Sequence, residues 1–402
     1  MKTKTKILLV TSKAPPEYSG SGNRVVKQYQ RIKKNGLFDF SVVSSSTEIL
    51  FCLPSFKKKS NEKISIKLTN FFSMPNKKLI HRMLTYFEFL IEFSASYFFL
   101  YLKYRQYDFF HIVGDVSLTS AALAFCQRNR IPFIYEIVNE DEKKINPLWV
   151  RVPFWSKKIK FDNNLSSVKT INSRLKSHIQ NSHSDVNTIS FPNSVDLSKI
   201  KDLGKKKLPV KSSDKIQVIY LAKFIPRKRQ DILIEAFKYL PNNYVLDLYG
   251  PVSITGLNRR RDGEYLNDLK ILTKKIGLDR RIGIHPQFVT NPYDLISKYD
   301  VFVYPSIGEA FGTTIIEALL LGLPVVATAG EPAFDEWIDH GKNGFLFDGS
   351  PRDLSMRIIA CKNLDSQITK NLRASLSIKV SHEAADAFLI NEIQKLVNKY
   401  DH

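Results

Sequence analysis

Short apolar runs alternate with helix-patterned stretches along this chain, and no other feature constrains its fold as strongly. In the first half, strands are expected at Lys6–Val10, Phe38–Val43, Phe109–Val113, Pro132–Ile137 and Val168–Asn172. The alternation stops at residues 201–215, a Lys-rich stretch with almost nothing to bury, which reads as a linker. It then restarts. Strands at Ile216–Leu221, Val245–Tyr249, Arg281–His285, Val301–Tyr304 and Pro324–Ala327 interleave with helices near Gln230–Tyr239, Asp262–Ile276, Pro292–Lys298 and Thr314–Leu321. At 402 residues the chain exceeds one ordinary core. The pattern predicts two α/β domains, 1–200 and 201–380. A last segment, 381–402, forms a helix with no strand to follow it and is expected to pack back toward the first domain. Two such domains imply a cleft, and open sheets bind ligands at the carboxyl ends of their strands.

Charge is unevenly placed. Lys and Arg outnumber Asp and Glu by 31 to 15 in residues 1–200, but only by 29 to 24 in the remainder. A basic half meets an anionic membrane surface, a phosphate-bearing substrate or nucleic acid, unless its charges sit on solvated faces. Nucleic-acid binding calls for basic residues interleaved with aromatics on one element; the basic clusters here are scattered, so no nucleic acid is expected. Cys52, Cys126 and Cys361 lie far apart with no CxxC, which argues for a reducing compartment and against a disulfide framework or structural zinc. After Lys2, Lys4 and Lys6 the apolar run is only Ile7–Val10, short of the about 7–15 residues of a secretion signal. A cytoplasmic protein is expected.

Leu84–Leu102 (LTYFEFLIEFSASYFFLYL) would reach about 28 Å as a helix, close to the about 30 Å of a hydrocarbon core. Glu88 and Glu92 lie one turn apart within it, each disfavoured by about 2.5–3.5 kcal/mol at mid-bilayer. That argues against a spanning helix and leaves a core helix or one lying on a membrane surface, flanked by Lys57–Lys59 and Lys77–Lys78.

The densest chemistry lies at 304–328, Tyr304-Pro-Ser-Ile-Gly-Glu309-Ala310-Phe311-Gly312-Thr313-Thr314-Ile-Ile-Glu317-Ala and on to Gly322-Leu-Pro-Val-Val-Ala-Thr328. A strand ends, a Gly-flanked loop carries Glu309, and a helix begins near Thr314. That geometry turns backbone N–H groups and the positive helix end toward a diphosphate or sugar hydroxyls. Thr314-x-x-Glu317 also reads as a capping box, which requires no ligand; the local sequence leaves both readings open. His111 ends the strand Phe109–Val113 and is expected to face the cleft, and Arg259–Arg261 is expected in a solvated loop.

The wider pattern resembles glycosyltransferase family 4. Glu309, seven residues, Glu317, with Pro305-Ser306 before and the Gly322–Thr328 segment after, resembles that family's E-x7-E donor signature. Asn193-Ser-Val-Asp196 resembles its hinge. Phe224-Ile-Pro-Arg-Lys228 and Asp231–Phe237 resemble the loop and helix that hold the diphosphate. Leu248-Tyr-Gly250, Glu336 and Gly341-Lys-Asn-Gly344-Phe-Leu-Phe347 resemble later landmarks, and Pro15–Gly22 resembles the glycine-rich loop after the first strand. The likeness is specific over 216–350 and loose over 40–190.

The resemblance implies a GT-B fold, with two Rossmann-like α/β domains facing a central cleft and a C-terminal helix crossing back. It implies retaining transfer from a nucleotide-diphosphate sugar, with no cofactor and no bound metal; the lack of an Asp-x-Asp motif agrees. On this resemblance Glu309 meets the donor sugar and Glu317 the ribose. Gly20, Ser21 and Gly22 with Ala310, Phe311, Gly312, Thr313 and Thr314 line the donor, and His285 lies where its base would sit. Lys223 and Lys228 neutralise the diphosphate, and with Glu309 and His111 they make up the expected catalytic set. Two departures stand out. Ala222-Lys223 replaces the usual Gly-Arg, losing the planar two-pronged grip of Arg. Many relatives carry a His after the strand at 132–137, where this chain reads Tyr135-Glu-Ile-Val-Asn139-Glu140-Asp141, so Asn139 or Glu140 would take that place. The expected acceptor is a lipid-linked or cell-surface glycan precursor, held by the basic domain at the cytosolic membrane face. A nucleotide-sugar epimerase, or a non-catalytic membrane- or nucleic-acid-binding protein, is the alternative.

Overall fold

The computed structural model describes residues 4–12, 14, 20–45, 61–64, 78–114, 116–137, 148, 150–191, 193–200, 214–253, 259–309 and 311–400. Ala310, Asn139, Glu140, Lys57–Lys59, Lys77, residues 15–19 of the glycine-rich motif and residues 201–213 of the linker lie outside them.

The chain divides into two compact units, Met1–Phe191 with Ala385–His402, and Pro192–Ala384. The division falls earlier than the boundary expected at 200. Residues beyond 192 are tied to the second unit, where the Val195 N–H donates to the Val380 carbonyl at 2.9 Å.

The first unit runs β1 (Thr5–Thr11), α1 (Gly20–Ile32), β2 (Phe38–Ser45), β3 (Asn61–Ile64), α2 (Lys78–Tyr104), β4 (Phe109–Val113), α3 (Ser117–Asn129), β5 (Phe133–Glu136), β6 (Ser166–Thr170), α4 (Ser173–Ser182) and β7 (Thr188–Ser190). Its seven strands are all parallel, in the order β3-β2-β1-β4-β5-β6-β7. Central strands of such sheets are buried on both faces, which is why Ile7–Val10 reads as an unbroken apolar run and Phe109–Val113 as one interrupted only by His111. Edge strands β3 and β7 lack such runs (Asn-Glu-Lys-Ile and Thr-Ile-Ser), and the apolar pattern does not reveal them. Gly20, Ser21 and Gly22 open helix α1 rather than forming a loop.

The second unit runs β8 (Ile216–Leu221), α5 (Gln230–Ala236), β9 (Tyr244–Tyr249), α6 (Arg259–Lys275), β10 (Ile282–His285), α7 (Pro292–Ile296), β11 (Val301–Tyr304), α8 (Thr313–Leu321), β12 (Val325–Thr328), α9 (Pro332–Asp335), β13 (Gly344–Phe347), α10 (Pro351–Ala360) and α11 (Ser366–Lys379). Its six parallel strands follow the order β10-β9-β8-β11-β12-β13. Arg259–Arg261, expected in a loop, forms the first turn of α6 and is held there by the Arg260–Glu264 and Arg261–Asp262 pairs.

The last helix, α12 (His382–Tyr400), returns to the first unit. Leu389, Ile393 and Leu396 join Ile7, Leu9, Val25, Tyr29 and Phe109 in one core, each burial contributing about 1.5–3 kcal/mol. Arg31 fixes its start with two 2.8 Å bonds to Asp386. Helix α2 buries Phe89, Phe93 and Leu100 while Met83, Phe87, Phe98, Tyr101 and Leu102 face outward. Its Glu92 accepts a 2.7 Å bond from Ser117 of α3. Among the described residues no helix is long and apolar enough to cross a membrane.

Candidate functional site

In each sheet the strand order reverses once, between β1 and β4 and between β8 and β11. Ligands of open α/β sheets gather outside the carboxyl ends of strands at such a point. At the second, the chain leaving β8 passes through a 3-10 turn, Pro226–Lys228, and then a left-handed Arg229 at φ 51°. The turn folds the Lys228 side chain inward until only 9% of it is exposed. Its Nζ donates to the Tyr304 hydroxyl at 2.6 Å and to Glu309 Oε1 at 2.5 Å, and lies 4.8 Å over the Tyr304 ring. Tyr220 stacks on Tyr304 at 5.5 Å and donates to the Lys228 carbonyl at 3.0 Å, making an aromatic floor.

Arg227, half exposed, reaches the same Glu309 oxygen at 2.8 Å. The Glu309 N–H donates to Glu331 Oε2 at 3.1 Å, which fixes the loop. Both cations converge on Oε1, so among the described residues Oε2 has no cation partner. The sequence reading missed Arg227. Its signal was an Arg beside the expected Lys in a chain whose other clamp position carries Lys223.

Helix α8 starts at Gly312, whose φ of 72° suits glycine and where a Cβ would sit 3.3 Å from the Phe334 ring. Having no side chain, Gly312 offers no cap, and the expected Thr314/Glu317 capping box is not formed. Because the helix begins at Thr313, Glu317 falls in its second turn, turned inward and 9% exposed. Burial pushes its carboxyl up to about 7 against the opposing pull of the Tyr293 hydroxyl and the Lys199 charge. Phe311 is buried, and its carbonyl accepts from Trp337 Nε1 at 3.2 Å; Thr313 is exposed and Thr314 partly so. The first helical N–H groups have no intrahelical partner, and this end follows the loop that carries Glu309, the partner of Lys228, a setting for an anion.

Lys223 is held apart from that group. Its Nζ lies 3.3 Å from Asp262, which also accepts from Ser253 at 2.5 Å and from Arg261. Burial works against ionisation of Asp262, but these donors hold its carboxyl below the usual range. His285 Nε2 lies 2.6 Å from Asp247 Oδ1, and its ring stacks on Tyr249 at 4.3 Å. Tyr299 donates to the other Asp247 oxygen at 2.9 Å. A side chain at 283 would collide with this pair, a Cβ lying 2.3 Å from Asp247 Oδ1, so Gly283 makes room for it. The structure thus brings Lys228, Glu309 and the start of α8 together and ties Lys223 and His285 to carboxylates of their own.

The first unit holds a second polar cluster, on the sheet face covered by α1. Glu136 closes β5 directly opposite Lys169 of β6. It pairs with Lys169 Nζ at 3.0 Å and with Arg24 of α1. Burial pushes the Glu136 carboxyl up, yet Arg24 and Lys169 overcome this and hold it well below the carboxylate range. Burial also takes Lys169 down to about 8. His111, expected to face the cleft and act in catalysis, is wholly buried. Its Nδ1 lies 3.0 Å from the Tyr29 hydroxyl and its Nε2 3.5 Å from Glu136 Oε2, beyond hydrogen-bond length. Tyr29 and α12 cover that sheet face, so His111 is buried in the first unit's core instead of lying open on its surface. Sequence reasoning overlooked Arg24, Glu136 and Lys169; the available signal was a charge inside each of two otherwise buried strands.

Residues 204–377 match the family model described as glycosyl transferases group 1. Over 180 residues the chain is 31% identical to the lipopolysaccharide core biosynthesis glycosyltransferase LpsE of Rhizobium meliloti (strain 1021), spanning 43% of this chain and 48% of that one. Over 138 residues it is 34% identical to a D-inositol 3-phosphate glycosyltransferase of Mycolicibacterium vanbaalenii, spanning 33% and 30%. The chain thus covers about half or less of the length of these curated relatives. The crystal structure of Anabaena HepE in complex with UDP aligns with a TM-score of 0.68 at 19% identity, covering 97% of this chain and 100% of that one. The fold is the two-unit α/β GT-B fold.

Proposed function

We propose that this chain is a retaining glycosyltransferase of the family 4 type that moves a sugar from a nucleotide-diphosphate donor to a lipid-linked or cell-surface glycan precursor at the cytosolic membrane face. One observation carries the reading. Lys228, Arg227 and Glu309 meet beside the uncapped start of α8 at the switch point of the second sheet, inside the segment that matches the family model. Charge builds on the diphosphate as its bond to the sugar breaks, and cations already in place stabilise that charge without reorganising. Lys228 and Arg227 turn from Glu309 to the phosphates. Glu309 is then free to accept sugar hydroxyls, and ionised Glu317 accepts the two ribose hydroxyls. The acceptor hydroxyl attacks from the face the diphosphate leaves and passes its proton to the departing phosphate oxygen, which keeps the anomeric configuration. Protein cations carry this work, with no metal required.

Attachment to a membrane rests on the outer stripe of α2, where Met83, Phe87, Phe98 and Tyr101 are 45–65% exposed, on exposed Phe154 and Trp155, and on the basic excess of residues 1–200. Lys103 and Arg105 lie 5.0 and 5.7 Å over the Phe99 and Tyr101 rings, and each such charge near an anionic leaflet contributes about 1 kcal/mol. Sedimentation with anionic vesicles at low salt is expected; its absence would remove the membrane from the account.

The donor is tested by thermal shift with a panel of nucleotide sugars. A donor at 100 times its dissociation constant adds about 2.7 kcal/mol. Stabilisation by sugars of one base, lost in Glu317→Ala, is expected. No response to any of them would overturn the reading, and turnover of a nucleotide sugar without an acceptor would mark an epimerase.

A further inference from the structure

The cluster in the first unit holds more positive charge than its own carboxylate balances. Arg24 and Lys169 both pair with Glu136, and among the described residues no other carboxylate forms an ion pair with either. His111 adds no charge that would help, since burial lowers its pKa and keeps the ring neutral. Among the described residues one surplus positive charge therefore sits where the Lys169 side chain is 10% exposed and the Glu136 side chain 3%. Uncompensated buried charge is costly. Hydrogen bonding is also incomplete: a guanidinium offers five N–H donors and an ammonium three, yet each cation makes one bond among the described residues, to Glu136. His111 Nε2 is buried with no partner within hydrogen-bond length. The opening is on the Arg24 side, where 17% of the side chain meets solvent. Glu136 and Lys169 stand at the carboxyl ends of β5 and β6, next to the strand whose pairing with β1 marks the reversal of order in this sheet. A surplus cation pair at the ligand-binding edge of an α/β sheet is a receptor for an anion.

We propose that Arg24 and Lys169 bind a phosphate group carried by the sugar acceptor, so that the acceptor is a phosphorylated sugar or a lipid phosphate rather than a neutral glycan. The assignment to the acceptor rests on the glycosyltransferase reading above; the anion site itself does not. Arg24 offers its free N–H edge to two phosphate oxygens, Lys169 supplies the second charge from beneath, and Glu136 holds both cations in place while the subsite is empty. His111 and Tyr29 support Glu136 and touch no ligand.

The test is calorimetric titration of the full chain with inorganic phosphate, glucose 6-phosphate, short-chain phosphatidic acid and glucose. Binding of the phosphorylated probes and not of glucose is expected, the tighter of the two esters naming the source. Arg24→Gln should weaken phosphate binding by about tenfold or more, the scale of a lost charged hydrogen bond. Arg24→Lys should recover part of it. Lys298→Gln, an exposed lysine of the other unit, should leave it unchanged. The Glu136–Lys169 pair survives both Arg24 changes, and an unchanged thermal midpoint would show that the fold does too. Failure of phosphate to bind, or binding lost in Lys228→Gln and kept in Arg24→Gln, overturns the proposal. A phosphate response that depends on Arg24 in a protein that ignores every nucleotide sugar would keep the anion site and refute the glycosyltransferase reading, so the two failures are distinguishable.

Discussion

Each unit grips one carboxylate between an arginine and a lysine at the carboxyl edge of its sheet, and the two grips are built from different parts. In the first, Glu136 and Lys169 come from neighbouring strands in fixed register and Arg24 from a helix packed on them. In the second, Arg227, Lys228 and Glu309 all come from turns and loops leaving the strands. A grip on regular elements is buried and cannot open without disturbing the core. One on loops can pass its cations to a ligand at little cost, which is where catalytic groups on a rigid scaffold tend to sit. On the two proposals above, the difference separates a preformed anion receptor from a site whose charges change partners during a reaction.

The same substitution in both units tests this contrast most severely. Glu136→Gln should cost about 3–5 kcal/mol, because it strands buried Lys169 and partly buried Arg24. Glu309→Gln should cost less, about 1–3 kcal/mol, since it leaves the buried Lys228 short of one partner while Arg227 is half exposed and stays solvated. Urea unfolding of the two variants measures both, and equal costs would erase the distinction. The reverse order is expected for turnover. Lys228→Met should lower kcat/KM by about 100- to 1,000-fold, the scale of one lost donor at a developing charge, whereas Arg227→Gln should lower it less. Steady-state rates with the donor identified by thermal shift are the check.

Glu317 sharpens the comparison through pH. Its folded pKa, about 7, lies above the about 4.3 of a free glutamate. The folded state therefore holds its proton more tightly between those values, and stability falls as pH rises through that window, by about 3–4 kcal/mol in all. Above pH 7 the loss is complete. Glu317→Gln should lack it, so the variant gains on the wild type from about pH 4 to 7, as urea midpoints at a series of pH values would record. The smallest expected effect is that of chelation: with Lys228 and Arg227 supplying the charge, EDTA should leave turnover unchanged, and a loss restored by a divalent cation would assign part of their work to a metal.

The second unit was the more legible in the sequence because its signals are local. Its five expected strands and the Glu309–Glu317 spacing lie within short segments, and the structure keeps Lys228 beside Glu309. Of the two readings left open there, the capping box is not formed, since Thr314 and Glu317 have the right spacing but Gly312 starts the helix earlier. In the first unit the decisive contacts join residues far apart in the chain. Arg24, Glu136 and Lys169 meet only once β4, β5 and β6 are aligned under α1, and no periodicity announces that meeting. His111 was correctly found on its strand, but its burial depends on Tyr29 and the returning helix α12, which strand patterning does not register.

Hydrogen–deuterium exchange with and without a nucleoside diphosphate decides most directly which grip receives the donor. The account predicts protection in the segments around Arg227–Arg229 and Phe311–Glu317, with little change around Arg24, Glu136 and Lys169. Protection confined to the first unit, with the Lys228 turn and the start of α8 unaffected, would contradict it.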